Sequence, residues 1–428
     1  MFFDKKLTEL SFLVYGLGLT GRSVINFLKK NNINNYTVWD DNNKNMTKKK
    51  KTFNINKSFK SVDFIVLSPG VSLNNSKNKK NLIKYKKKII TDIDLIFLFK
   101  KFSKSIVVTG TNGKSTTCKI IGHVLKKNGF RTAIGGNIGT PILDLNITKD
   151  SYLIIEASSF QLSHSQFIRP DFAVLLNISN DHLDWHGSMK NYINSKFKLF
   201  RLQKNNQYSL ISNKFKLSYK KKKFFGKLII PKIHVYKKFK IKIKNSYFNS
   251  NINDENMSFV YSLAKKLKIS NSSFFRSLKT FKGLEHRYEV FLKKKNHTFI
   301  NDSKATSFQA TKFALENTKN IFWIVGGLPK KNDKIQLKNL KKNIAKSYII
   351  GRHTNFFKKQ IKNEIDYKVT KNLKNSIIQV LKDIKILKYK YNNILLSPAS
   401  ASFDQFINFE KRGEKFKELS CHYARKYI

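Results

Sequence analysis

Residues 109–115 read Thr109-Gly110-Thr111-Asn112-Gly113-Lys114-Ser115, between a β-branched run and a stretch of helical periodicity. A glycine loop joining a strand to a helix aims backbone N–H groups and the helix dipole at one point, which suits phosphate oxygens. Lys114 is placed to reach the β- and γ-phosphates of a nucleotide, and the Ser115 hydroxyl is a hard-oxygen ligand for Mg²⁺. Gly110, Thr111, Asn112, Gly113 and Thr116 supply the surrounding cradle. Two residues separate the glycines, where the common phosphate loop has four.

A second loop, Gly16-Leu17-Gly18-Leu19-Thr20-Gly21, also follows a strand, and Asp40 lies about twenty residues further on. The pattern sets a helix N-terminus against a phosphate without saying which nucleotide carries it. NAD and a nucleotide-diphosphate sugar both fit. Strands are expected at 11–15, 36–39, 64–67, 106–108, 152–155 and 173–176, then at 298–300, 321–325, 348–350 and 394–396, separated by helices. Strands alternating with helices imply parallel sheets, with ligands beyond their carboxyl ends. The expected class is α/β in three domains. These are a Rossmann-like 1–95, a central phosphate-loop 96–284 with a parallel or mixed sheet, and a Rossmann-like 285–428. Residues 238–244 alternate lysine with Phe239, Ile241 and Ile243, which predicts a strand with one solvated face.

The charge is extreme, with 84 Lys and Arg against 27 Asp and Glu. Lysine, asparagine, isoleucine and phenylalanine are inflated together, as in A/T-rich genes. No stacking platform or recognition helix accompanies the lysine runs, so no specific nucleic-acid partner is expected. A hydrophobic fraction of 40% with 36 phenylalanines excludes a disordered chain. Two cysteines without a C-x-x-C pair point to neither a disulfide framework nor structural zinc. With no signal-like or membrane-length apolar stretch, a soluble cytoplasmic protein is expected.

Further segments join the two loops: 135–141, 156–162 (Glu156-Ala157-Ser158-Ser159-Phe160-Gln161-Leu162), 180–184, 281–289, 301–306 and 396–413. Together and in order, they resemble the Mur ligases of peptidoglycan synthesis across the whole chain. Asn301-Asp302-Ser303-Lys304-Ala305-Thr306 and Ser402-Phe403-Asp404-Gln405-Phe406 point to the D-glutamate-adding branch. The resemblance implies an ATP- and Mg²⁺-dependent ligase with two metal sites. It would phosphorylate the carboxylate of UDP-N-acetylmuramoyl-L-alanine and let the D-glutamate amine attack the acyl phosphate. It implies catalytic roles for Lys114, Glu156, His182, Lys196 and Lys304. Metal ligands would be Ser115, Glu156, His182 and a carbamylated Lys196. Asn253, Asn256, Arg287 and Asp302 would contact ATP. Gly18, Leu19, Thr20, Asp40, Gly70 and Asn137 would line the UDP-sugar site, and Thr306, Ser402, Phe403 and Phe409 the D-glutamate pocket. A monomer is implied.

This sequence departs from the family at Ile252, where histidine is usual, and at Glu285, Ser307 and Ser400. Another ligase of the superfamily, such as folylpolyglutamate synthase, is the alternative. The Gly16–Gly21 loop with Asp40 argues against the folate enzyme, which typically starts at its ATPase domain, and leaves a different Mur ligase as the alternative.

Overall fold

The computed structural model describes residues 6–42, 54–73, 75–137, 139–248, 253–330 and 333–428. The chain divides into two compact units, Met1–Phe281 and Lys282–Ile428. The expected boundary at 95 falls inside the first unit, which contains two sheets.

The first sheet consists of β1 (Phe12–Tyr15), β2 (Tyr36–Trp39), β3 (Phe64–Leu67) and β4 (Ile89–Ile90), all parallel in the order β2-β1-β3-β4. The second is built from β5 (Lys104–Thr109), β6 (Thr132–Gly136), β7 (Tyr152–Glu156), β8 (Phe172–Leu175), β9 (Tyr208–Ile211) and β10 (Lys227–Ile229). It is also parallel, in the order β10-β9-β8-β5-β7-β6. Parallel sheets are covered on both faces, so β1, β3 and β8 are uninterrupted apolar runs with every residue buried. One buried cluster joins the sheets, running from Phe12, Val24 and Phe64 to Val107, Leu153 and Phe200. That shared core explains why two sheets form one unit.

The second unit carries β11 (Glu289–Lys294), β12 (His297–Asn301), β13 (Ile321–Gly326), β14 (Ile344–Ile350), β15 (Tyr367–Lys371) and β16 (Asn392–Leu396), in the order β11-β12-β16-β13-β14-β15. Only β11 runs antiparallel, at one edge. Buried clusters cover both faces of this sheet, one around Trp323 and Leu395, the other around Phe322, Ile377 and Phe416.

The expected strand at 238–244 is wrong. Residues Ile233–Lys240 form a helix instead. Tyr236 and Phe239, three residues apart, form its inner face, and residues 241–244 leave the helix as a turn and irregular chain. Tyr236 and Ile243 are buried, Phe239 packs on Tyr261 and Phe275, and Ile241, assigned inward by the period-two reading, is 89% exposed. Lys240 turns inward to meet Asp254 at 2.7 Å. A three-apolar alternation is too short to outweigh a helical face anchored by tyrosine. No helix among the described residues is long and apolar enough to cross a membrane.

The Gly16–Gly21 loop shows how tightly the first sheet is wound onto its helix, Leu19–Lys30. A Cβ on Gly21 would sit 1.9 Å from the Gly16 carbonyl oxygen, whereas one on Gly18 would meet nothing within 4 Å. Gly21→Ala is therefore expected to cost about 2 kcal/mol through overpacking, read as a lowered denaturation midpoint. Gly18→Ala should leave the midpoint unchanged; equal midpoints for the two variants would contradict this packing.

Candidate active site

The loop after β5 is held in a pre-organised form by glycine conformation and by hydrogen bonds from neighbouring segments. Gly113 caps the Lys114–Lys127 helix with φ +83°, a conformation that favours glycine, and a Cβ there would strike the Asn256 carboxamide at 2.5 Å. Thr111 N–H donates to Asn177 O, and Asn112 N–H to Asn177 Oδ1, both at 2.9 Å. The Thr111 hydroxyl pairs with Tyr192 OH at 3.0 Å. Sequence reading did not single out Asn177 or Tyr192. Asn177 lies in a segment with no glycine or charge pattern to mark it, and Tyr192 stands beside Lys196 with nothing in its residue type to show that it bonds the loop.

Two amines converge on this loop. Lys114 Nζ donates to Gly110 O at 2.9 Å and to Thr111 O at 2.8 Å, and Lys196 Nζ donates to the same Gly110 O at 2.9 Å. Lys196 is 1% exposed and also lies 4.6 Å from the Tyr192 ring centre. Burial first, and the Lys114 charge second, push its amine down from 10.5 to about 6. At neutral pH Lys196 is thus largely uncharged. Lys198 lies apart, its amine bonded to Ser163 O.

Glu156 ends β7 and is 2% exposed. Its Oε1 accepts from the Asn137 side chain at 3.2 Å, and its backbone oxygen accepts Asn137 N–H at 2.8 Å. Oε2 is buried and has no hydrogen-bond partner. An anionic oxygen buried without a donor is costly unless a cation meets it, and a hard divalent cation takes oxygen ligands of this kind. The buried Ser115 lies in the first turn of the helix that follows the phosphate loop. These groups fit Mg²⁺. No cluster of three or more His, Cys, Asp or Glu side chains poised for a metal occurs among the described residues.

His182 occupies a left-handed turn, φ +53°, immediately before the short Leu183–His186 helix. Its Nε2 is 3.4 Å from Asp181, and its ring centre is 4.7 Å from that of Phe160. His186 braces the turn from behind, with Nε2 2.9 Å from Ser159 Oγ; burial first, then the His182 charge, lowers it to about 4. Asn253 caps Asp254–Lys266, the helix that carries Asn256. Ile252 lies outside the described residues.

In the Gly16–Gly21 loop, Gly18 caps the first helix, Leu19 is 81% exposed, and Gly70 is open to solvent. Asp40 is 9% exposed and accepts Leu17 N–H at 2.6 Å and Asn42 N–H at 2.8 Å, so its carboxylate fixes the loop itself.

The second unit assembles the remaining residues around strand ends. Asp302 follows β12 and accepts Ser397 OH at 2.7 Å and Tyr288 N–H at 3.1 Å. Burial raises it to about 7, against stabilising bonds from Ser397 and Tyr288 and the charge of Arg287. Lys304 Nζ stands 4.6 Å over the Phe409 ring, and Ser303 OH donates to Phe409 O at 2.8 Å. Thr306 is half-buried, Ser402 buried, and Phe403 70% exposed. Behind them lies Arg412, 1% exposed, which donates to Ser303 Oγ at 3.0 Å, Ser303 O at 2.8 Å and Ser400 O at 3.0 Å. Arg412 ties the 301–306 segment to the 400–402 segment. It stood in a recognised stretch but had no assigned role, because the sequence shows the arginine and not the carbonyls it gathers.

Comparison with known proteins agrees with this architecture. A family profile for the Mur ligase middle domain matches residues 108–275. A UDP-N-acetylmuramoylalanine–D-glutamate ligase of Wolbachia sp. subsp. Brugia malayi is 35% identical over 96% of this chain and 96% of its own. The enzyme of that name from Francisella tularensis strain FSC 198 is 34% identical over 99% of both chains. In fold, the chain matches the MurF ligase of Thermotoga maritima solved with ADP, with TM-score 0.56 and 16% identity over 99% of this chain and 100% of that one. A phosphate loop over a buried, unsatisfied glutamate, carried on a chain this similar from end to end, leads to one assignment: the chain belongs to the Mur ligase family, among its UDP-N-acetylmuramoylalanine–D-glutamate ligases.

Proposed function

We propose that this protein joins D-glutamate to UDP-N-acetylmuramoyl-L-alanine at the expense of ATP, through an acyl phosphate, in peptidoglycan precursor synthesis. The observation that carries the reading is the pairing of the Lys114 loop with the buried, donor-less Glu156 Oε2. A ligand with a triphosphate and a divalent cation answers both halves of that pair. Full-length identity near 35% to D-glutamate ligases favours this acceptor over the other ligases of the superfamily.

The backbone N–H groups of 110–115 would hold the β- and γ-phosphates, with the Lys114 ammonium leaving its two loop carbonyls to meet them. Asn256, against Gly113, would steer the nucleoside. Ser115 and Glu156 would hold one Mg²⁺, and His182 with Lys196 as its carbamate a second. The ions supply charge neutralisation for phosphoryl transfer to a carboxylate. Lys196 suits that role because only a neutral amine adds CO₂, and its surroundings keep it neutral. Gly18, Leu19, Thr20, Gly70 and Asn137 would line the sugar-nucleotide site, its diphosphate at the N-terminus of Leu19–Lys30; Asp40 would act by fixing the loop.

In the second unit Asp302 and Arg287 would receive ribose and phosphate. Lys304, Thr306, Ser402 and Phe409 would orient D-glutamate so that its amine meets the activated carbonyl. We place the division of labour at 1–95, 96–284 and 285–428, and expect a monomer that works in the cytoplasm.

The direct test is phosphate release from ATP with a panel of acceptors. Release should require both UDP-N-acetylmuramoyl-L-alanine and D-glutamate; turnover with L-lysine, meso-diaminopimelate or folate in place of D-glutamate would refute the proposal. Lys114→Ala should lower turnover by at least about a hundredfold, the scale of losing a positioned charge in phosphoryl transfer, with an unchanged melting curve. CO₂-depleted buffer should reduce wild-type turnover reversibly, bicarbonate restoring it, whereas Lys196→Met should be inactive in both buffers.

Asp302 offers a pH test. Its folded-state pKa is raised, so its contribution is most favourable at low pH and is lost as pH climbs from 3.8 towards about 7. Asp302→Asn should therefore flatten the fall in denaturation midpoint of the second unit across that window. An unchanged pH profile would show that the carboxyl is not desolvated.

A further inference from the structure

We propose that the lysine-rich open edge of the second sheet, at β10, is a docking surface for the anionic face of a lipid membrane. From Trp185 to Asn253 the sequence holds 18 Lys and Arg and no Asp or Glu. With 27 acidic residues in 428, a stretch of 69 should carry about four. A/T-rich drift inflates lysine everywhere, but it does not explain why all 27 acidic residues lie outside one contiguous stretch.

Part of this charge flanks one sheet edge: Lys216, Lys220, Lys221, Lys222, Lys227 and Lys232 are exposed on either side of or within β10, whereas Lys196, Lys198 and Arg201 are engaged elsewhere. β10 is the terminal strand of its sheet, led into by the Lys216–Lys221 helix and followed by the Ile233–Lys240 helix. The first helix is anchored inward by Tyr219, whose hydroxyl bonds Ser209 and Gly226 O, each at 2.8 Å. Leu217 is left outside, 73% exposed, with Lys220 and Lys221 one turn on. The second helix is anchored by Tyr236 and Phe239, which leaves Ile233 exposed at its start and Ile241 exposed just past its end, while Lys237 stands 3.7 Å from Asp254. Phe225, just before β10, is 74% exposed.

Large apolar side chains standing among lysines are unfavourable in water and favourable at a headgroup boundary, where the apolar groups enter and the amines face anionic lipid. Nucleic acid matches this surface poorly. Three of the four apolar groups are aliphatic and offer no stacking. The stretch has one arginine, Arg201, whose guanidinium is bonded to Gln166 O, so no free planar fork is available for bases.

The test is co-sedimentation of the full chain with vesicles, either pure phosphatidylcholine or phosphatidylcholine mixed equally with phosphatidylglycerol, at about 0.15 M salt, where long-range attraction is screened. Binding to the mixed vesicles alone is expected. The variant Leu217→Ser/Phe225→Ser/Ile233→Ser/Ile241→Ser should bind them at least tenfold more weakly while keeping wild-type turnover and melting. Lys220→Glu/Lys221→Glu/Lys222→Glu should do the same, and Lys338→Glu/Lys341→Glu/Lys342→Glu, an equal charge change on the second unit, should not. Equal loss in the two charge variants would reduce the effect to net charge and overturn the proposal. So would undiminished binding by the serine variant, or tighter retention on random-sequence DNA than on the mixed vesicles.

Discussion

Two amines share the carbonyl of Gly110, and the phosphate loop and its nearest neighbours are arranged around that conflict. Two ammonium groups cannot both stay charged on one buried acceptor without a large repulsive cost. The fold resolves this asymmetrically. Lys114 is half-buried at the helix N-terminus, and Lys196 is sealed under Tyr192 and becomes the neutral partner. Thr111 links the loop to Tyr192, so the geometry that positions the phosphate cradle also buries Lys196. The loop's shape and the amine's protonation state are thus set together.

The parts of this arrangement that sequence reveals are those where residue type alone dictates backbone. Gly113 needs its left-handed φ, and Gly21 needs room against Gly16 O; both announce themselves as glycines at fixed spacing. The apolar runs of β1, β3, β8 and β13 are equally plain, since a strand buried on both faces has no charged residue to break the pattern. Edge strands are harder. β10, β11 and β15 each show a solvated side, and their lysines disguise the period. The misread 238–244 segment fails for the same reason. Where lysine occupies about every second position, its long stem suits either a strand or a helix, and tertiary contacts at Tyr236 and Phe239 decide.

Polar groups that act through backbone atoms were not legible at all. Asn177 holds the phosphate loop through Thr111 and Asn112, and Arg412 binds two carbonyls and a hydroxyl. Nothing in an asparagine or arginine codes for the carbonyl it will meet. The family departures behave differently: Ser307 caps the Phe308–Glu316 helix by accepting Ala310 N–H, and Ser400 bonds Pro398 O. Each replacement is absorbed locally by a hydroxyl that finds a backbone partner.

Arg412 also explains why the second unit can present a precise pocket from short loops. A guanidinium taken out of water must find acceptors in fixed directions, and its planar fork finds them on Ser303 and Ser400. Burial lowers it to about 10, still far above neutral pH, so the charge persists and the carbonyls must stay turned towards it. The flanking Lys304 and Ser402 inherit that rigidity through the backbone. A fold shared at 16% identity with a MurF ligase does not by itself select an amino acid; the choice lies in which side chains such a frame holds still.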